Sequence, residues 1–536
     1  MRLAPQKING QRLMRLQQDR CLLSPSISPY LPLSPQIYDK SNNTMNYIIA
    51  IDQSTSATKA MLFTDKCEML KRVNVAHKQY YPKPGWVEHD PEEIYANVLK
   101  ATAELLKDEN PAENTYSLAI TNQRETVVVW DKATGKPVCN AVVWQCMRGA
   151  DICNRLKAEG YGKVVQEKSG LLIDPFFSAS GAKWILDNVD GARRRADRGE
   201  LLMGTIDSWL VWKLSEGRSH VTDYTNASRT MLMNIHTMQW DDELLDIFTI
   251  PRTMLPELLP CDGVFGETTL GGIFAEPIKI AGVIGDSHGA LTGQMCFEAG
   301  LGKATYGTGS SVMVNIGENA SPAPDGLVTS IGLAACGKVF YAFEGNIHCT
   351  GATLKWLEEQ LKMIGSPADV EAEAASVADS GGVYLVPAFA GLGAPWWNDE
   401  VKGAVFGLTL GTTRAHFLRA ALESIAYQVN DLVKAMTVKA GVALKEIRVD
   451  GGPTKNKLLM QFQADCLRVP VNCSDIEEAS ALGAVIMNGL SRKVWASFEE
   501  VARLRKGKWR LEAQDNEERM NVLVAGWHKA VKQLLK

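Results

Sequence analysis

Three features are scarce in this chain, and each scarcity removes a class of function. No apolar run approaches the ~18–20 residues needed to cross a bilayer, so a soluble chain without membrane insertion is expected. Basic residues show no excess: Lys+Arg number 57 and Asp+Glu 61, a formal net charge of −4. Polyanion binders displace counterions with a surplus of Lys and Arg, so nucleic acid is not an expected partner. No CxxC pair occurs among the eleven cysteines. Their odd count and irregular spacing suit neither a disulfide framework nor a zinc site. Reduced, mostly buried thiols in a cytoplasmic enzyme are expected instead.

What is present is ordinary globular material. Across 536 residues, 46% are hydrophobic and 22% charged, enough to bury more than one core. Residues 1–44 stand apart, with a Pro/Ser-rich stretch (LSPSISPYLPLSP), scattered Arg and no apolar h-region. They read as a disordered leader or an over-long start, with a transit peptide as the third reading.

From Tyr47 the pattern alternates between strand and helix. YIIAID (47–52) is a buried strand that breaks into QSTSAT and resumes as KAMLF (59–63). SLAITNQRET (117–126), VVVW (127–130) and AGVIG (281–285) read as further strands, and helices are expected over 91–107 and 178–189. KATYGTGSSVMVNI (303–316) repeats the strand–turn–strand form, with helices expected over 351–364 and 413–436 and a strand over 446–452. Two such hairpins imply two similar α/β halves divided near 290–300. If both turns face one cleft, their amides and hydroxyls make a phosphate site.

These residues resemble the FGGY carbohydrate kinases, and among them most closely the glycerol kinases. The resemblance runs from Met45 to the C-terminus. It rests on IDQSTSATKA (51–60), PGWVEHDPEEIY (84–95), TNQRETVVVWDKATGKPV (121–138), HVTDYTNASRTMLMNIHT (220–237), GLGAPWW (391–397), GAVFGLTLGTTRAHFLRAALE (403–423) and IRVDGGPTKNKLLMQFQAD (447–465). It implies an α/β fold of two ribonuclease-H-like, actin-like ATPase domains flanking a catalytic cleft. A polyol-binding domain would span 45–294 and a nucleotide-binding domain 295–536. ATP and Mg²⁺ are the implied cofactors.

The resemblance also assigns residues. Asp286, in GVIGDSHGA after a strand, matches the catalytic base; the bland alternative is a helix N-cap. Asp52 ends the first strand, where a carboxylate can hold Mg²⁺ through water, with Asp286 as the second metal carboxylate. Thr55, Ser56 and Lys59 on the first turn, and Thr308 on the second, would contact the nucleotide phosphates. Gly351 and Lys355 match a nucleotide-contacting helix start, and Gly452 and Asn456 the adenine-site loop. The Arg124–Glu125 pair can hold a diol, because a guanidinium donates to hydroxyls and a carboxylate accepts from them; a surface ion pair is the bland alternative. Phe176 stands where glycerol kinases carry a Tyr, Ser287 where they carry a Gln, and Ser311 where they carry an aromatic residue packed on the substrate carbons.

The implied activity is ATP-dependent phosphorylation of a small polyol, glycerol first. A tetritol or pentulose is the alternative that the three departures leave open, and an actin-like ATPase of chaperone or filament type is the remote one. A homo-oligomer is compatible with the sequence. Because the leader's composition cannot bury a core, a chain starting at Met45 is expected to match the full chain in Tm and kcat. A large loss of either would show that residues 1–44 pack on the body.

Overall fold

Residues Tyr47–Ile51 carry paired isoleucines and almost no polar atoms, the composition of a strand covered on both faces. In the computed structural model, which describes residues 46–536 apart from Asp399 and Asp475, the strand Asn46–Gln53 lies in the middle of a six-stranded sheet. The leader expected at 1–44 lies outside the described residues. On one side Asn46–Gln53 pairs antiparallel with Ala57–Thr64, which pairs antiparallel with Met69–Ala76. On the other it pairs in parallel with Thr115–Asn122, which pairs in parallel with Ile278–Gly285.

The second sheet repeats this plan. Leu301–Tyr306 pairs antiparallel with Ser310–Gly317 and in parallel with Glu446–Asp450. Lys338–Ile347 and Val328–Ala335 extend the antiparallel side, and Val471–Cys473 the parallel side. Two α/β halves, each a hairpin beside parallel strands, agree with the ribonuclease-H-like expectation.

Local chemistry sets the helix boundaries. The Asp90 carboxylate accepts from the Glu92 N–H at 2.9 Å and Pro91 opens the helix Pro91–Leu106, which buries Ile94, Val98, Ala101 and Leu105 along one face. Thr413 caps Arg414–Ala440, which ends at Gly441 with φ 63°, a left-handed value natural to glycine. The helix expected over 351–364 is shorter, Gly351–Glu359. Residues 360–362 emerge into solvent and Lys362 turns left-handed at φ 53°, so no buried face remains to carry the helix onward. Among the described residues no helix is long and apolar enough to cross a membrane. All cysteines among them are free, and most are buried.

One late element decides how the halves meet. The helix Ala479–Ser491 packs on the first sheet and on the helix Asp286–Gly293. Its Asn488 amide donates to Leu118 O at 3.1 Å and Ala281 O at 2.7 Å, and accepts from Ser117 Oγ at 2.8 Å. The helices cross glycine on glycine, so that a Cβ on Gly483 would lie 2.0 Å from Gly289 O. Gly483→Ala must therefore push apart two backbones, and is expected to cost about 1–3 kcal/mol. Thermal denaturation checks this, and an unchanged Tm would show that the crossing is slack.

Candidate active site

Parallel strands end at one edge of a sheet, and the loops and helices that leave them are gathered there. Asp52 pairs with Thr121, and Thr121 with Ile284, so the chain leaves three adjacent strands at one level. Arg124, Glu125 and Asp286 come from these exits. Glu125 has φ 62°, a left-handed conformation that L-residues rarely adopt. Such strain persists only where surrounding contacts hold it. Here Ser178 Oγ donates to Glu125 O at 2.8 Å.

The side chains form a buried charge cluster. Arg124 donates from Nη1 and Nη2 to both oxygens of Glu344, at 2.8 and 2.7 Å, and its Nε lies 2.9 Å from Asp286 Oδ1. Arg229 Nε donates to Glu125 Oε1 at 2.6 Å, and Arg229 Nη1 lies 2.9 Å from Glu344 Oε2. Arg124, Glu125, Arg229 and Glu344 are all buried, whereas the Asp286 side chain keeps 37% of its surface open. Burial pushes the Glu344 carboxyl up, but the two guanidiniums outweigh it and hold the group well below the usual range. For Glu125 burial prevails over the same guanidiniums, and its carboxyl is raised. His288 lies beneath the cluster with both ring nitrogens unpartnered. Burial, reinforced by the nearby Arg124 charge, drives its basicity well down, so the ring is neutral.

Asp286 is the first residue of its helix, and its Oδ1 accepts from the Ser287 N–H at 2.6 Å. Phe176 stands edge-on to Trp144 with centroids 5.3 Å apart, and the Arg229 guanidinium lies 5.9 Å from the Phe176 ring centre. Thr55 is built into the same wall, because the Trp144 indole donates to its Oγ1 at 3.0 Å. Asp52 is buried and its carboxyl is pushed up to about 6, by burial first, with Lys59 opposing and Glu478 and Asp286 adding to the rise. Lys59 Nζ is engaged by Glu478 at 2.6 Å and Asp52 at 3.3 Å.

In the second half, a cavity of about 630 Å³ is lined by Thr308, Gly351, Lys355, Gly452 and Asn456. The five residues expected at a nucleotide site in this half are thus brought together. Thr55, Ser56 and Lys59 are not part of that lining. Gly451 has φ 102°, and a Cβ there would fall 2.1 Å from Tyr306 O, so the DGG turn crosses the second hairpin in contact. The approach that Gly351 permits is likewise to backbone: its N–H donates to Gly307 O at 2.9 Å, and a Cβ would lie 2.6 Å from that oxygen. Asn456 Oδ1 caps the next helix by accepting from the Leu459 N–H at 2.8 Å.

Sequence reasoning missed Glu344, Arg229 and Glu478; it offered His288 as a group that could replace a lost substrate contact, and the structure buries that ring completely. Arg229 sits inside the block HVTDYTNASRT, but nothing local marks it as the counterion of a carboxylate 104 positions earlier.

Comparison with known proteins bears on this geometry. Residues 47–293 match the N-terminal domain, and 302–491 the C-terminal domain, of the FGGY family of carbohydrate kinases. A glycerol kinase of Bacillus cytotoxicus is 50% identical over 490 residues, 90% of this chain and 98% of the relative. One from Thermus thermophilus is 49% identical over 487 residues, 91% of this chain and 98% of the relative. The crystal structure of Plasmodium falciparum glycerol kinase with ADP superposes with a TM-score of 0.88 at 36% identity, covering 92% of this chain and 99% of that one. A xylulose kinase from Lactobacillus acidophilus, 19% identical with a TM-score of 0.82 over 92% of this chain and 99% of its own, shares the fold.

The cluster yields a stability prediction. Removing one partner of a buried ion pair leaves an uncompensated charge, at a cost of about 3–5 kcal/mol. Glu344→Ala is expected to lose that much in denaturant unfolding. A loss below about 1 kcal/mol, the range of exposed pairs, would show that Arg124 is solvated rather than locked.

Proposed function

Because this chain belongs to the FGGY family of carbohydrate kinases, we propose that it transfers the γ-phosphoryl group of ATP to glycerol, giving glycerol 3-phosphate and ADP. The observation that carries this reading is Asp286, the one open carboxylate of the buried charge cluster, held 2.9 Å from a buried guanidinium in a chain half-identical to proteins named glycerol kinase. The polyol side falls to residues 45–294 and the nucleotide side to 295–536, the stretch that supplies all five of the cavity residues named above.

Arg124 and Glu125 orient the polyol: the guanidinium donates to its hydroxyl oxygens, and the raised Glu125 carboxyl is a second polar group at the same wall. Asp286 accepts the proton of the reacting hydroxyl as its oxygen bonds to the γ-phosphorus and the bond to the β,γ-bridging oxygen breaks. Phe176 and Ser287 border the polyol. Thr55 and Ser56 on one turn, and Thr308, Gly351, Lys355, Gly452 and Asn456 around the cavity, hold the nucleotide. Lys59 engages Glu478 and Asp52 with two of its three ammonium hydrogens and keeps the third for phosphate.

Asp52 and Asp286 suit a cation. Burial, with the Asp286 charge adding to it, raises the Asp52 carboxyl, a cost that Mg²⁺ carried in with the nucleotide would relieve. Among the described residues no cluster of three or more His, Cys, Asp or Glu side chains forms a closed metal cage. Bound at Asp52 and Asp286, the metal supplies charge neutralisation on the transferring phosphates. The free cysteines fit a cytoplasmic setting.

With MgATP and glycerol the purified chain is expected to form glycerol 3-phosphate. Asp286→Asn should lower kcat by at least about 10² while leaving nucleotide affinity nearly unchanged. A near-normal kcat in the Asn variant removes Asp286 from the role of base.

A further inference from the structure

The second sheet presents an ordered polar face to the charge cluster. Cross-strand register places Asp450, Thr305, Ser311 and Asn346 opposite one another in one row. Two residues along, Arg448, Lys303, Met313 and Glu344 form the next row. Residues directly opposite, and residues two apart on one strand, share a face of a sheet. Glu344 is the carboxylate that Arg124 grips from the first half, so this face borders the wall that carries Asp286. Ser311 stands one step from Glu344's row, on the side of the turn that holds Thr308.

Lys303 is only 1% exposed, and its Nζ donates to Ser311 Oγ at 3.0 Å. Burial lowers its basicity and the Arg124 charge adds to that, while Asp450, Glu344 and Asp286 attract its charge. An ammonium has donors only. The Ser311 oxygen must therefore accept from Lys303, which turns the hydroxyl hydrogen away from the lysine. Ser311 is half-buried, so that hydrogen has an open side to point to.

On the reading that this chain phosphorylates a polyol, we propose that Ser311, oriented by the buried Lys303, is a specificity-determining hydrogen-bond donor to a non-reacting hydroxyl of the substrate. Arg124 and Glu125 hold the polyol from the first half, and Ser311 reads it from the second. Lys303 acts through Ser311 and is a positioning residue. This sets the substrate class: a fully hydroxylated short polyol is favoured over its deoxy analogue, because the analogue leaves an oriented donor without a partner.

The test compares kcat/KM for glycerol, 1,2-propanediol and 1,3-propanediol in the full chain, wild type against Ser311→Ala, Ser311→Thr and Lys303→Met. Ser311→Ala is expected to lower kcat/KM for glycerol about tenfold, the worth of one hydrogen bond, and to change the propanediol lacking the recognised hydroxyl less than about twofold. Since that hydroxyl does not react, the change should fall on KM with kcat nearly constant. Ser311→Thr keeps the hydroxyl and should keep the wild-type ratio. Lys303→Met should narrow it like the Ala variant; if Lys303→Met fails to fold, the serine variants decide alone. Ratios unchanged in Ser311→Ala, with glycerol still phosphorylated, overturn this inference and leave the kinase reading standing. A wild-type chain that phosphorylates none of the three overturns that reading and this inference with it.

Discussion

The two-pronged contact between Arg124 and Glu344 ties a loop of the first half to a strand of the second, far inside the protein. A guanidinium that cannot lose its proton and is largely withdrawn from water must be matched in place. Arg229 and Glu125 complete the match, and the strained backbone of Glu125 is held as part of it. The cluster leaves one carboxylate partly free. Asp286 touches Arg124 on one side and opens to solvent on the other.

The halves are joined in a second way that the charges do not provide. The helix Ala479–Ser491 lies against the helix that begins at Asp286, backbone to backbone through Gly483 and Gly289. The residue before it, Glu478, binds Lys59 and Arg72 of the first sheet. The position of Asp286 thus depends on residues nearly two hundred places later in the chain. The cavity lined by Thr308, Gly351 and Asn456, by contrast, is walled by residues of the second half alone.

The features readable from sequence are those whose cause is local. Both hairpins, the helix opened by Asp90–Pro91 and the helix capped by Thr413 arise from neighbouring residues, and the structure has them. The family blocks located Asp286, Arg124 and Glu125, which converge here. Pairings across long separations were not readable. Glu344 looks like any strand carboxylate until Arg124 reaches it, 220 positions away. The partner that Lys59 meets from the second half was not readable either: it is Glu478, 419 positions later. The end of the helix at Glu359 was missed because LEEQLKMI keeps an apolar period after the core that would bury it has ended.

The departures Phe176 and Ser311 look like simple losses when read as letters. In place, Phe176 packs on Trp144, and Ser311 is bonded to a buried lysine, so each belongs to a wall with its own partners. The claim that this wall serves phosphoryl transfer to a polyol is tested most directly by ADP release from the intact chain with MgATP, with and without saturating glycerol. The account predicts that ADP and glycerol 3-phosphate appear mole for mole and that ADP release nearly ceases without polyol. Equal ADP release in both conditions would contradict it and mark the cleft as that of a polyol-independent ATPase.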